Sequence, residues 1–211
     1  MLRFLAKHRE RPAIFSKRFV KVWLKRAYHF PSLLRLVAAV AVLRARGAKI
    51  GECSIIVKLQ LVGDPRNLTI GSFCYIGGPI EITLQAPVSI GNNVVINSES
   101  RIFSASHDID DPSWGLVAAP VIVEDYVWIA SNSILLPGTT VGRGAVLGAG
   151  SVLRGNMPAT SVFVGNPARD TMRRRREGMK YVPPQGSAAI EAWIGAPWIP
   201  RRKAENIISN E

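Results

Sequence analysis

Residues 123–153, VEDYVWIASNSILLPGTTVGRGAVLGAGSVL, place Val123, Ile129, Leu135, Val141, Leu147 and Leu153 six apart without interruption. Small or β-branched residues stand four places after each of the first five: Val127, Ser133, Thr139, Ala145 and Ser151. Gly142 and Gly148 directly follow two of the aliphatics. An amphipathic helix repeats at about 3.6 residues and a half-buried strand at about 2.0, so neither produces this spacing. A period of six belongs to a parallel β-helix, in which three short faces make one coil and each coil stacks on the last. The aliphatic fills the prism interior, the small residue fits near a corner, and Gly or Asn supplies the tight turn.

Outward from that stretch the period weakens but persists. The aliphatic-glycine doublet recurs at Ile50-Gly51, Ile70-Gly71, Ile76-Gly77 and Ile90-Gly91, and Ile90, Ile96 and Ile102 are again six apart. Asp64-Pro65-Arg66-Asn67 interrupts the first coils as a turn or small bulge. Between Ser104 and Pro120 the repeat is suspended, and a polar loop over 108–119 carries Trp114. An insertion in a regular solenoid leaves one corner, and such loops often line the binding site. The repeat resumes at Val121 and ends near Met157-Pro158. Val162–Val164 reads as a final strand, Gly165–Arg169 as a sharp turn, and Arg173–Arg176 as the start of a basic helix or arm. Pro183–Gly186 marks a linker before a short helix near Ala188–Ile194. The last residues, rich in Pro and charge, read as partly disordered. The organisation is therefore a basic helical arm over 1–49, a β-helix domain over 50–168, and a C-terminal extension over 169–211.

The charge is local. Of 27 Lys and Arg and 15 Asp and Glu, residues 1–50 hold thirteen bases against the single acid Glu10, leaving the remainder neutral. Residues 14–46 read as two helices parted at Pro31, which disfavours helix at His29–Phe30. Lys17, Lys21 and Lys25 form an i, i+4 stripe, with Phe19 and Trp23 on other faces. Such an arm suits an anionic lipid surface, or it packs on the prism and leaves its charges in water. The most apolar stretch, Leu33–Leu43, contains Arg35 and falls short of the ~20 residues that span a bilayer. Neither a transmembrane segment nor a cleavable secretory signal is expected. Cys53 and Cys74 are too few for a disulfide scaffold; they read as packed, reduced thiols in the cytoplasm.

Three histidines occur, and His8 and His29 lie in the basic arm. His107 stands where the repeat gives way to the inserted loop. A neutral imidazole near pH 7 takes a proton from a hydroxyl, and a corner loop keeps it accessible. Competing motifs fail on context. Gly142-Arg143-Gly144 and Gly148-Ala149-Gly150 precede no helix, as a dinucleotide fold would require. Ser106-His107-Asp108 cannot form a triad, because neighbouring side chains on an extended segment point apart, and no Gly-x-Ser-x-Gly elbow exists. Cys53, Cys74 and His107 lack metal-ligand spacing. Nucleic acid has only charge in its favour.

Ile90-Gly91-Asn92-Asn93, Ser106-His107-Asp108, Trp128-Ile129-Ala130-Ser131, Pro137–Gly142, Gly148–Val152 and Gly165-Asn166-Pro167-Ala168 run in a familiar order. In this the chain resembles the hexapeptide-repeat acyltransferases, most closely the maltose/galactoside branch and its colanic-acid-type members of exopolysaccharide assembly. The resemblance is tight over residues 88–169 and loose over 50–87. It implies a left-handed prism, a homotrimer with a cleft between subunits, and acetyl transfer from acetyl-CoA to a sugar hydroxyl without a metal or covalent intermediate. His107 matches the family's base. Trp128 matches the aromatic presented by a neighbouring subunit, Ser131 a hydroxyl beside the thioester, Ala149 a backbone contact to pantetheine, and Arg169 a cation beside the coenzyme phosphates. The usual Thr-Lys pair is Arg154-Gly155 here, so Arg154 becomes the displaced cation of the nucleotide end. Asp108 and Trp114 are the acceptor-side candidates; Asp108 otherwise orients the imidazole or stands as a solvated loop acid, and Trp114 otherwise anchors its loop. The family's acceptor-side Asn is replaced around Gly77-Gly78. The resemblance implies a saccharide acceptor, lipid-linked if the arm meets a membrane. The rival reading is a non-catalytic β-helix scaffold or an anionic-surface binding module.

Overall fold

A computed structural model describes residues 1–195 and shows a parallel β-helix whose first coil is covered by helices from both the N-terminal and the C-terminal segments. Three parallel ladders form the faces. In the first, Ile50, Ile70, Ile90, Val123, Val141 and Met157 lie in register from coil to coil. Ile56, Ile76, Ile96, Ile129, Leu147 and Phe163 do the same in the second. The third aligns Ile82, Ile102, Leu135 and Leu153. Nearly all of these side chains are fully buried and form one continuous core. The six-residue period of the sequence is therefore the width of one face plus one corner.

The corners explain the small residues. Ser133 is buried and donates to the carbonyls of Ala130 (2.8 Å) and Gly148 (2.9 Å), while Ser151 accepts from Gly165 N at 3.0 Å. A hydroxyl there satisfies carbonyls that the turn would leave unpaired. Between the first and second faces, Cys53, Phe73, Asn93, Tyr126, Gly144 and Thr160 all adopt positive φ, between 53° and 68°. Each non-glycine in that region costs on the order of 1 kcal/mol, and the coil ladders on both sides hold it there. At Gly71 the cause is steric: a Cβ would stand 2.5 Å from the Gly91 carbonyl oxygen.

Helix α1 spans Leu2–His8, and α2 runs unbroken over Lys17–Ala45, with Ser16 capping Phe19 N. This corrects the expectation of two helices parted at Pro31. Pro31 and Ala27 face outward, so the carbonyl freed by the missing N–H is not trapped in the core. Buried Arg26 and Leu33 hold the helix on either side of it. The continuous helix is also longer than the apolar stretch suggested. By length and composition alone it could cross a membrane. Its buried residues, however, pack on α3 (Ala188–Ile194) and on the first coil.

Arg26 is the clamp. Its guanidinium donates to the carbonyls of Glu10 (2.6 Å), Ala192 (3.2 Å) and Trp193 (3.1 Å), and lies against the rings of Trp23 and Trp193. It thereby joins the segment after α1 to α3 beneath α2. The last full face strand, Ser161–Val164, pairs antiparallel with Arg169–Arg174. The run at 173–176 was expected to open a helix or arm, but its first half is strand. A charged outer strand closes the end of the solenoid and protects its edge from further pairing. The expected disorder of the final residues concerns 196–211, outside the described residues.

Candidate active site

The insertion leaves the prism between its third and first faces as a hairpin of Ala105–His107 with Leu116–Ala118, His107 opposite Leu116. The loop of 108–119 is thus in part a strand. Asp111 shapes its tip: the carboxylate accepts from Ser113 N (2.8 Å), Ser113 Oγ (2.7 Å) and Gly115 N (2.9 Å). Those bonds, led by the Ser113 hydroxyl, hold the Asp111 carboxyl below its usual range. Trp114 is thereby carried into a positive φ of 57°. Its carbonyl oxygen lies 2.8 Å from His107 Nδ1, and its indole stacks on the imidazole at 4.7 Å between centroids and 16° between planes.

A carbonyl only accepts, so in the neutral ring Nδ1 carries the hydrogen and Nε2 keeps its lone pair. That is the tautomer a general base requires. The partner that sets it is a backbone atom, which residue type could not disclose. Asp108 does not fill that role, since its carboxylate accepts from Asp110 N at 3.0 Å. A cleft of about 660 Å³ opens beside the imidazole, lined by His107, Asp108, Asp110, Val117, Gly138 and Arg154, among others.

The remaining candidates fall into two groups. Trp128 projects from the second face, 42% exposed, and its indole N–H donates to Asn97 Oδ1 at 2.7 Å. Ser131 follows at the corner of the second and third faces. Gly150 N donates to the Ser131 carbonyl at 2.9 Å, which sets Ala149 one coil further on. Val152 N and the Gly165 carbonyl continue the column, and Arg169 opens the closing strand opposite Val164. Trp128, Ser131, Ala149 and Arg169 therefore follow one edge over three coils, with about 5 Å per coil. Arg154 does not belong to that run. It lines the His107 cleft, at the corner of the third and first faces. Within one chain His107 and the Trp128–Arg169 edge stand at different corners of the prism.

Asp111 and Asn97 carried no weight in the sequence. The Asp-x-Ser turn signature at 111–113 was the one readable sign of the former.

A family model described as "Bacterial transferase hexapeptide (six repeats)" matches residues 120–155. WcaF of Escherichia coli K12, which carries the assignment of a colanic acid biosynthesis acetyltransferase, is 32% identical over 126 residues. That match covers 60% of this chain and 69% of WcaF. Galactoside O-acetyltransferase of the same strain is 29% identical over 106 residues, 49% of this chain and 52% of that protein. Among solved structures, a hexapeptide-repeat acetyltransferase from Vibrio cholerae O1 biovar eltor in complex with acetyl coenzyme A gives a TM-score of 0.63. It is 23% identical and the match covers 83% of this chain and 98% of that one. A maltose O-acetyltransferase from Clostridium difficile 630 gives 0.54 at 26% identity, covering 76% and 90%.

Proposed function

The chain belongs to the hexapeptide-repeat acetyltransferases, and from that premise we propose that it acetylates a saccharide hydroxyl with His107 as general base. WcaF, galactoside O-acetyltransferase and the Vibrio cholerae structure are all named as acetyltransferases, and the last holds acetyl coenzyme A. The sugar acceptor is supported by proteins named for colanic acid biosynthesis and for galactoside and maltose O-acetylation. Exopolysaccharide or cell-surface saccharide assembly is the corresponding pathway reading. The observation that carries the mechanism is the bond from His107 Nδ1 to the Trp114 carbonyl, which leaves Nε2 unprotonated beside the cleft.

The acceptor oxygen attacks the thioester carbonyl while Nε2 takes its proton. The tetrahedral oxyanion collapses, the carbon–sulfur bond breaks, and the imidazolium returns the proton to the departing CoA thiolate. The products are an acetyl ester and free CoA thiol, and the base is regenerated. Holding acceptor and thioester in one cleft makes the encounter effectively intramolecular. The acetyl-CoA would lie along the Trp128–Ser131–Ala149–Arg169 edge, with the Ser131 hydroxyl toward the oxyanion and the Arg169 guanidinium toward the phosphates.

That edge and His107 sit at different corners of one prism, which supports a homotrimer in which each site joins His107 of one chain to Trp128 of the next. Arg154, on the His107 side, then meets the nucleotide end from the neighbouring chain or contacts the acceptor beside Asp108. The Trp114 indole flanks the same cleft. Dependence on acetyl-CoA and two buried free thiols support a cytoplasmic site of action. A binding module or scaffold would need neither an oriented imidazole nor the coenzyme edge.

The test is His107→Ala. Transfer, read as CoA thiol release in the presence of acceptor, should fall by about two to four decades, the usual scale for general-base removal. Acetyl-CoA affinity by calorimetry should stay near that of the parent. Parent-like turnover in the variant would remove His107 from the mechanism.

A further inference from the structure

Helix α2 has two apolar faces, and among the described residues only one is packed. Arg26, Leu33, Val40 and Leu43 are buried against α3 and the first coil. On the opposite side, Val20, Leu24, Leu34 and Val42 are each more than half exposed, with Trp23 and Phe30 about half exposed at one border. Ala27, Pro31 and Ala38 fill the gaps between them and are exposed as well. At about 100° per residue these positions fall within one arc directly across the helix axis from the buried stripe. The strip therefore runs nearly the full length of α2, and 29 residues at about 1.5 Å each make that about 43 Å. Just before the helix, Ile14 and Phe15 are also exposed, at 72% and 92%.

We propose that this outward face of α2 is a docking surface for an anionic lipid bilayer, with the helix lying in the plane of the leaflet. Charge complementarity selects that occupant. No Asp or Glu occurs in α2. Lys17, Lys21, Arg35 and Arg46 line the other border of the strip, are exposed, and have no ion-pair partner among the described residues. Lys25, by contrast, turns inward to Glu191 at 2.8 Å. It belongs to the packing and not to the docking face. A second copy laid on the same strip would bring these unpaired cations against their equivalents. A leaflet of anionic headgroups meets apolar strip and cationic border together, and each basic residue near such a surface contributes roughly 1 kcal/mol. Exposed Trp23 and Tyr28 suit the headgroup level, where amphipathic rings accumulate. The packed opposite face keeps the helix alongside the prism and out of a transmembrane path. The inference does not depend on the acceptor or on His107.

Co-sedimentation of the intact protein with vesicles tests it. Phosphatidylglycerol-containing vesicles should carry the protein down at low salt, neutral phosphatidylcholine vesicles should not, and salt should release it. The triple change Lys17→Glu, Lys21→Glu, Arg35→Glu and the double change Leu24→Asp, Leu34→Asp should each weaken binding at least tenfold. Oligomeric mass and turnover on a soluble acceptor should be unchanged. Should the double variant misfold, brominated phosphatidylglycerol should quench part of the parent's tryptophan emission, and Trp23→Phe should abolish that part. Three results would overturn the proposal. One is no binding of the intact protein to anionic vesicles; another is binding that salt cannot reverse. The third is loss of the oligomer in the Leu24→Asp, Leu34→Asp variant, which would identify a second copy as the occupant.

Discussion

His107 is oriented by an atom that no side-chain inventory contains. The Trp114 carbonyl fixes the tautomer, and Asp111 fixes Trp114 through three hydrogen bonds at the hairpin tip. Asp111→Asn would keep one acceptor and turn the other toward Gly115 N as a second donor. It should lower turnover by about tenfold, a scale expected when a base is slightly misplaced, with the KM for acetyl-CoA unaltered. Unchanged turnover would detach Asp111 from the site. The acid limb follows from the depressed carboxyl. Its contribution is complete above the ordinary carboxylate range, near pH 4, and is lost as pH falls through the still lower folded value. In a His107→Gln background, which removes the imidazole stacked on the indole, the Trp114 component of fluorescence should therefore be steady from pH 7 to about pH 5 and change only in stronger acid. At the other end of the scale, burial pushes both the Cys53 and Cys74 thiols up to about 11. Their thiolate is scarce at neutral pH, so iodoacetamide should label neither at an appreciable rate until the chain is unfolded.

At the scale of elements, α2 shows how packing overrides a local rule. Pro31 removes one helical hydrogen bond, yet Arg26 and Leu33 secure the helix on both sides of it. Pro31→Ala should restore that bond and stabilise the protein by about 1 kcal/mol or more. Arg26→Met should cost about 2–3 kcal/mol, because three carbonyls lose a charged donor at once. Urea unfolding midpoints measure both. The coils were legible wherever each face spans two or three residues, as from Val123 to Leu153. They blurred over the first two coils because Leu59–Gly63 and Ile80–Leu84 are five-residue strands, which lengthen each coil and shift the period. Pro31 and the arginines at 173–176 misled for a shared reason. Each was read from local propensity, whereas a partner surface decides: α3 and the first coil for one, the open end of the solenoid for the other. His107 was singled out because the repeat breaks beside it. The carbonyl that orients it was not, since no residue type marks a backbone acceptor.

For the whole molecule, the division of candidates between two prism corners leads to a complementation test. In verified mixed oligomers, His107→Ala and Trp128→Ala chains should together regain part of the parent's turnover, provided each variant alone is impaired. Absence of rescue would argue for a site within one chain or against Trp128. The central claim is chemical, namely ester formation on a saccharide with acetyl-CoA as donor. Purified protein would be incubated with acetyl-CoA and, in turn, nucleotide-sugars, free oligosaccharides and lipid-linked saccharides, and the products weighed by mass spectrometry. The account predicts one acceptor class that gains a single acetyl group, released by mild base as an ester must be, and no such product with His107→Ala. An acetyl group that resists base, as an amide would, or an ester formed equally well by the His107→Ala variant, would contradict it.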